Sequence, residues 1–424
     1  MTSQNSNSVP DRGQLESDLQ EVRSSNTDPS TRHAPKKPNE NSGSGGIDWL
    51  DISFYGAFPP AVWKVLTADL TAIQESYQDA GTMRSDERLP YETAEGEWLA
   101  VNQYGTGKNI RCKWLVISRG VRIGIVDNGG QYNENFPSIR VQIPGSYLLN
   151  YGHTEAIEHV RHQLKTLGFH EIRATIARID LCADMAEEDC AEFCDLYDNQ
   201  QRVTRARKCQ KFEDGYTKTG FSLGTDTKLR VYDKRMEVIE QGEKRELMLR
   251  RRWGGVMPEK ATRVEFQVKR ELLVEQFGSA DLDEVLPKLA DICDWLTTSW
   301  FRFTAHRVDR DNRHQNRAAD HPIWQRAKQK FQDWAGSPAA SYVKPVRRVN
   351  ITEARRKQTV LGSLAALFAK TGVYVENEVQ LIRAAMVFIE NEAADLLERY
   401  EVKSRDLAFT SALGPPIPEA DIPF

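Results

Sequence analysis

The chain has 424 residues, 40% of them hydrophobic, and a formal net charge of −4; its mean hydropathy is −0.58. That length allows two or three domains with a real core, and the net charge excludes a global electrostatic affinity for nucleic acid. No apolar run approaches the ~18 residues of a membrane span and the N-terminus has no hydrophobic signal region, so a soluble, cytoplasmic protein without a membrane partner is expected.

In chain order, residues 1–46 are rich in Ser, Asn, Gly, Pro and charge and read as a disordered polar tail. An alternating strand over 47–54 follows, and Pro59 and Pro60 lead into a helix over 61–78. Short strands are predicted at 112–118, 121–126 and 138–144, with a turn at Asp127, Asn128, Gly129 and Gly130. A helix over 155–167 is closed by Gly168, and a strand over 173–184 comes next. The pattern continues with a helix over 187–198, a hairpin of 221–224 and 228–233, one charged helix over 236–251, and a strand from Arg263. Beyond Glu271 the apolar spacing is helical, over 281–300, 324–334, 359–368 and 378–400. The organisation read from this is a tail (1–46), an α+β domain with a central antiparallel β-sheet and flanking helices (47–275), a mainly helical C-terminal region (276–405) and a Pro-rich tail (406–424).

Three of these strands carry chemistry. Side chains alternate along a strand, so Arg178, Asp180, Cys182 and Asp184 share one face, as do Lys228, Arg230, Tyr232 and Lys234, and Arg263, Glu265, Gln267 and Lys269. Asp180, Asp184 and Glu265 are hard oxygen donors of the kind that suit Mg²⁺ or Mn²⁺. Tyr232 is a candidate nucleophile, since a phenol becomes one when a cation or metal favours its ionised form. Arg230 and Lys234 flank it and could hold a phosphate. Between 201 and 270 there are 19 Lys/Arg against 10 Asp/Glu, an excess of about +9 that suits a phosphate backbone. Arg178, Lys228, Arg263 and Lys269, with Arg250, Arg251 and Arg252, are the candidate DNA contacts.

Plainer readings stand beside these. Asp180 and Asp184 could pair with Arg178 and Arg263, Tyr232 could be an ordinary sheet tyrosine, and the basic segment a solvated helix face. Cys190 and Cys194 read as small residues on one helix face rather than as metal ligands, and the six cysteines lack paired C-x-x-C spacings. There is no P-loop, no G-x-S-x-G and no dinucleotide fingerprint, and His159 and His162 miss the i, i+4 spacing of a helical zinc motif.

Taken in order, Ile47 to Leu50, Ile143 to Ser146, Arg178 to Asp184, Gly224, Leu229 to Lys234, and Arg263 to Glu265 make the chain resemble the Rep-trans replication initiation factors. These are rolling-circle initiators, with relatives among the relaxases of conjugative elements. The resemblance covers 47–270 and implies a central antiparallel sheet, a divalent metal on Asp180 and Glu265 with Asp184 less firmly placed, and Tyr232 joined covalently to a DNA 5′ end. It further implies origin DNA, single-stranded or as a hairpin, as partner, with a host helicase and a second copy of the chain as candidate partners. The expected function is a rolling-circle initiator that nicks and rejoins one strand at an origin. Alternatives are a relaxase of a conjugative or mobilisable element, an origin-binding protein that does not cut, and a metal nuclease that uses water.

Overall fold

In the computed structural model the described residues are 44–79, 88–107, 110–215, 217–240, 242, 245–308 and 315–339, with most of 360–401. The expected disordered stretch before Ser44 and the Pro-rich tail lie outside them, as do residues 359, 361 and 365 of the expected helix at 359–368. The chain divides into two units, 1–344 and 345–424.

The first unit runs β1 (Gly45–Ala57), α1 (Pro60–Asp79), β2 (Leu89–Glu92), β3 (Trp98–Val101), β4 (Trp114–Ser118), β5 (Val121–Ile125), β6 (Ile139–Pro144), α2 (Gly145–Tyr151), α3 (His153–Thr166) and β7 (His170–Ala186). It continues with α4 (Cys190–Asp198), β8 (Arg202–Thr204), β9 (Cys209–Asp214), β10 (Thr217–Gly224), β11 (Lys228–Asp233), α5 (Lys234–Glu240), α6 (Arg245–Arg252) and β12 (Ala261–Lys269). Then come α7 (Arg270–Phe277), α8 (Leu282–Val285), α9 (Leu289–Trp295), β13 (Phe301–Phe303) and α10 (Pro322–Ala335).

Eleven strands form one antiparallel sheet in the order β2-β3-β4-β5-β6-β1-β7-β12-β11-β10-β9. The three chemistry-bearing strands are therefore neighbours, with β12 between β7 and β11. Register decides which side chains meet: Asp180 lies opposite Gln267 and Asp184 opposite Arg263, while Arg230 lies opposite Glu265 and Tyr232 opposite Arg263. Directly paired residues point to the same side, so all the polar positions of the three strands fall on one face.

The other face is apolar and buried. Phe266 of β12 has the rings of Trp300, Trp324 and Phe331 at 6.1, 6.5 and 5.8 Å, and the Trp324 indole donates to the Thr297 carbonyl at 2.9 Å. These aromatics belong to the segment that the apolar spacing assigns to a separate helical region. The compact unit 1–344 takes in the chain from Arg270 to Ala335, without which Phe266 and its neighbours would face water. The structure differs at 236–251, which forms two helices, α5 and α6, rather than one. Likewise 281–300 is broken into α8, α9 and short 3₁₀ and π turns. The strands β8 and β9 were not foreseen; β9 is mostly exposed and lacks a buried stripe to reveal it.

Part of the polar face is roofed at one end. Leu149, Val238, Met248, Trp253 and Ala261 make a small apolar cluster from α2, α5, α6 and the start of β12. In the second unit α11 (Glu378–Asn391) is capped by Asn377, whose side chain accepts from the Gln380 amide at 3.0 Å. Phe368 and Phe388 pack there ring to ring at 6.4 Å. Among the described residues no helix is long and apolar enough to cross a membrane.

Candidate functional site

The centre of the polar face is a chain of contacts across three strands. The Tyr232 hydroxyl donates to Glu265 Oε2 at 3.1 Å. Arg230 Nη1 donates to the other oxygen, Oε1, at 2.6 Å, and Nη2 to Gln267 Oε1 at 2.9 Å. Asp180 lies on the far side of Arg230, 4.0 Å from Nη1, and takes a two-pronged bond from Arg178 whose Nε arm is 2.8 Å. Glu265 and Asp180 are buried, whereas the Arg230 side chain keeps 33% of its surface exposed. That exposure leaves Arg230 able to reach a ligand, as is Arg178, whose side chain is 29% exposed.

Beneath the roof lies a second group. Arg263 donates to Asp184 through Nε at 2.6 Å and Nη2 at 2.8 Å, and through Nη1 to Asp48 Oδ1 at 2.5 Å. Arg252 adds a second cation, with Nε 3.3 Å from Asp184 Oδ2, and donates to the Gly45 carbonyl. Buried charges survive only when paired and hydrogen-bonded, and here each finds its partner on an adjacent element. Asp48 was given no role from sequence. Strict alternation would send it to the apolar face with Leu50 and Ile52, but the β1–β7 register shifts between Ile47 and Trp49. Such a bulge re-aims a side chain, and it brings the Asp48 carboxylate to Arg263.

Electrostatics follow from this crowding. Burial, then the charges of Asp48 and Asp180, push the Glu265 carboxyl up to about 7, against the pull of Arg263 and Arg230. Burial also holds Asp180 above the usual carboxylate range despite Arg178 and Arg230. For Asp184 burial works upward too, but Arg263 and Arg252 outweigh it and hold the group below its ordinary value. The Tyr232 phenol is raised well above its ordinary value, first by burial and then by the negative charge of Glu265.

The remaining predicted residues are dispersed. Lys234 begins α5, is nearly buried, reaches Glu237 at 2.5 Å and sits 5.6 Å from the Tyr232 ring centroid. Lys228 is level with Gln267 and Asp180 across the sheet. Lys269 ends β12 opposite Arg178, with Nζ 3.4 Å from Asp226. Of the α6 arginines, Arg250 is exposed and 3.6 Å from Glu246, while Arg251 donates to the Asn150 carbonyl at 3.1 Å. Arg252 and Arg263 are instead buried in the ion network, where their guanidinium groups are occupied by protein. Gly220 lies directly opposite Tyr232 on β10, and a Cβ there would collide with the Val231 carbonyl and the Tyr232 backbone. It therefore leaves the neighbouring position free of side chain.

A divalent cation would need these carboxylates to converge. Asp180 and Glu265 face each other across Arg230, and Asp184 and Asp48 are held by Arg263, so the donors do not converge on one point. Among the described residues no three His, Cys, Asp or Glu side chains are grouped as a metal would require. As arranged, the set does not fit a divalent cation.

No family model matches the chain, and no curated protein matches it either. Among solved structures it is similar to a rolling circle replication initiator protein from Geobacillus stearothermophilus, at 13% identity and a TM-score of 0.38, over 68% of this chain and 97% of that one.

Proposed function

We propose that this protein nicks and rejoins one strand of DNA at a replication origin, through a covalent 5′-phosphotyrosine on Tyr232. The observation that carries the reading is the Tyr232–Glu265 hydrogen bond with Arg230 on the second oxygen of the same carboxylate. A phenol needs a base to become a nucleophile, and Glu265, raised to about 7 by burial and its acidic neighbours, is matched to that task near neutral pH.

In the step, Tyr232 Oη attacks phosphorus and its proton passes to Glu265. The bond from phosphorus to the 3′-oxygen breaks, and Glu265 returns the proton to the departing oxygen. One phosphodiester replaces another, so rejoining needs no ATP. Arg230, half-exposed, and Lys234, beside the Tyr232 ring, supply positive potential where charge builds on the phosphoryl oxygens. The strand must be locally single, in a hairpin or melted origin, because a tyrosine fixed in a sheet cannot readily reach a stacked duplex backbone. A relaxase of a conjugative element would use the same chemistry.

The test is a library of single-stranded oligonucleotides labelled at the 3′ end, incubated with Mn²⁺ and resolved on a denaturing gel. Label running with wild-type protein and lost with Tyr232→Phe supports the proposal. Cleaved DNA with no adduct would sink the tyrosine mechanism in favour of hydrolysis. A second reading, DNA binding without cutting, is favoured by the neutral phenol that burial imposes on Tyr232; it expects equal binding by wild type and Tyr232→Phe and no cleavage by either.

A further inference from the structure

Arg230 stands where an ion would. Its Nη1 is 2.6 Å from Glu265 Oε1 and 4.0 Å from Asp180 Oδ2, so a guanidinium bridges two buried carboxylates of the acidic cluster. Arg178 already holds Asp180 from the other side. Beside them, Arg263 and Arg252 balance Asp184, and Arg263 also holds Asp48. Four carboxylates thus meet four arginines. A divalent cation added there, with the arginines in place, would bring further positive charge into a largely desolvated place, which is costly.

We propose that Arg230 is a resident cation that excludes a divalent metal from Asp180 and Glu265 in the DNA-free protein, and that its removal creates the metal site. The same carboxylates lose the cation that bridges them when Arg230 leaves, and two hard oxygen donors with the Gln267 side-chain oxygen then face one space. The guanidinium is the part of the lock that can be drawn away: it is one-third exposed, and its anchors are side chains rather than backbone. This inference concerns metal occupancy and stands apart from whether Tyr232 cuts DNA.

The experiment titrates Mn²⁺ into the full-length, DNA-free protein and follows the free-ion signal by electron paramagnetic resonance. Wild type and Arg230→Lys, which keeps the charge, are expected to show weak binding only. Arg230→Gln is expected to bind one Mn²⁺ at least about tenfold more tightly, a gain of about 1.4 kcal/mol. That gain should vanish in Arg230→Gln/Asp180→Asn. Stoichiometric tight binding by wild type would overturn the proposal, and so would an Arg230→Gln protein of unchanged melting temperature that binds no better than wild type. The wild-type titration decides the matter even if the variant fails to fold, and none of these readouts depends on cleavage.

Discussion

Tyr232 and Glu265 sit on adjacent antiparallel strands, offset diagonally by two residues, with the phenol hydroxyl donating across the gap at 3.1 Å. The pair is oriented by what surrounds it. Arg230 fixes the other carboxylate oxygen, and Gly220 leaves the space on the far strand beside the ring open. Replacing Glu265 by Gln keeps the shape but removes the base, so adduct formation should fall by about 10²–10⁴-fold. Single-turnover rates on a cleavable oligonucleotide check this. A Glu265→Gln protein as fast as wild type would remove Glu265 from the proton path.

The pH dependence has a definite sign. Glu265 accepts a proton only when ionised, and its folded value is pushed up to about 7 by burial, Asp48 and Asp180 against Arg263 and Arg230. Adduct formation should therefore rise with pH through about 7 and level off above it. In Asp180→Asn one of the raising charges is gone, and the rise should move to lower pH. A pH–rate series on both proteins reads the shift; identical profiles would mean that another group controls the rate.

Stability should respond to pH in the same sense at Asp184, but at the acid end. Its folded value is depressed, so its pairing contributes stability that is present above the ordinary value of 3.8 and lost as pH falls through the folded value. Asp184→Asn leaves Arg263 and Arg252 short of a buried partner and should cost about 3–5 kcal/mol at neutral pH. Denaturant melts of both proteins from neutral to acid pH check it, with the difference shrinking only at the acid end.

Phosphate and metal should be linked through Arg230. A single-stranded oligonucleotide that draws the guanidinium toward its backbone frees Asp180 and Glu265, so DNA should raise the affinity for Mn²⁺ and Mn²⁺ that for DNA by the same factor. Arg230→Gln should lose this coupling. Oligonucleotide binding with and without Mn²⁺, in both proteins and in Asp180→Asn to correct for metal held by DNA itself, measures it.

Truncation tests where the sheet domain ends. A chain stopped at 344 keeps Trp300, Trp324 and Phe331 over Phe266 and should melt cooperatively, whereas one stopped at 275 strips that cover and should not fold. Within the full chain, Trp324→Ala should cost about 3–5 kcal/mol. Circular dichroism melts of the three proteins decide it.

The strands with the chemistry were legible in the sequence because period-two alternation of Val, Ile, Leu and Phe with charged residues is a local signal, and β7, β11 and β12 each carry it. It also placed Asp180, Arg230, Tyr232 and Glu265 on polar faces, since face follows from parity alone. Three further matters were set by tertiary structure. Strand order put β12 between β7 and β11, and only that pairing set Tyr232 beside Glu265 and Arg230 between Glu265 and Asp180. The bulge at Asp48 broke the parity rule through a register slip that depends on the partner strand. The roof of α2, α5 and α6 divided like-looking arginines into buried Arg252 and Arg263 and half-exposed Arg230. Sequence thus determined which residues could act together, because alternation is written residue by residue; the fold decided which do, because distance, burial and charge compensation exist only between segments far apart in the chain.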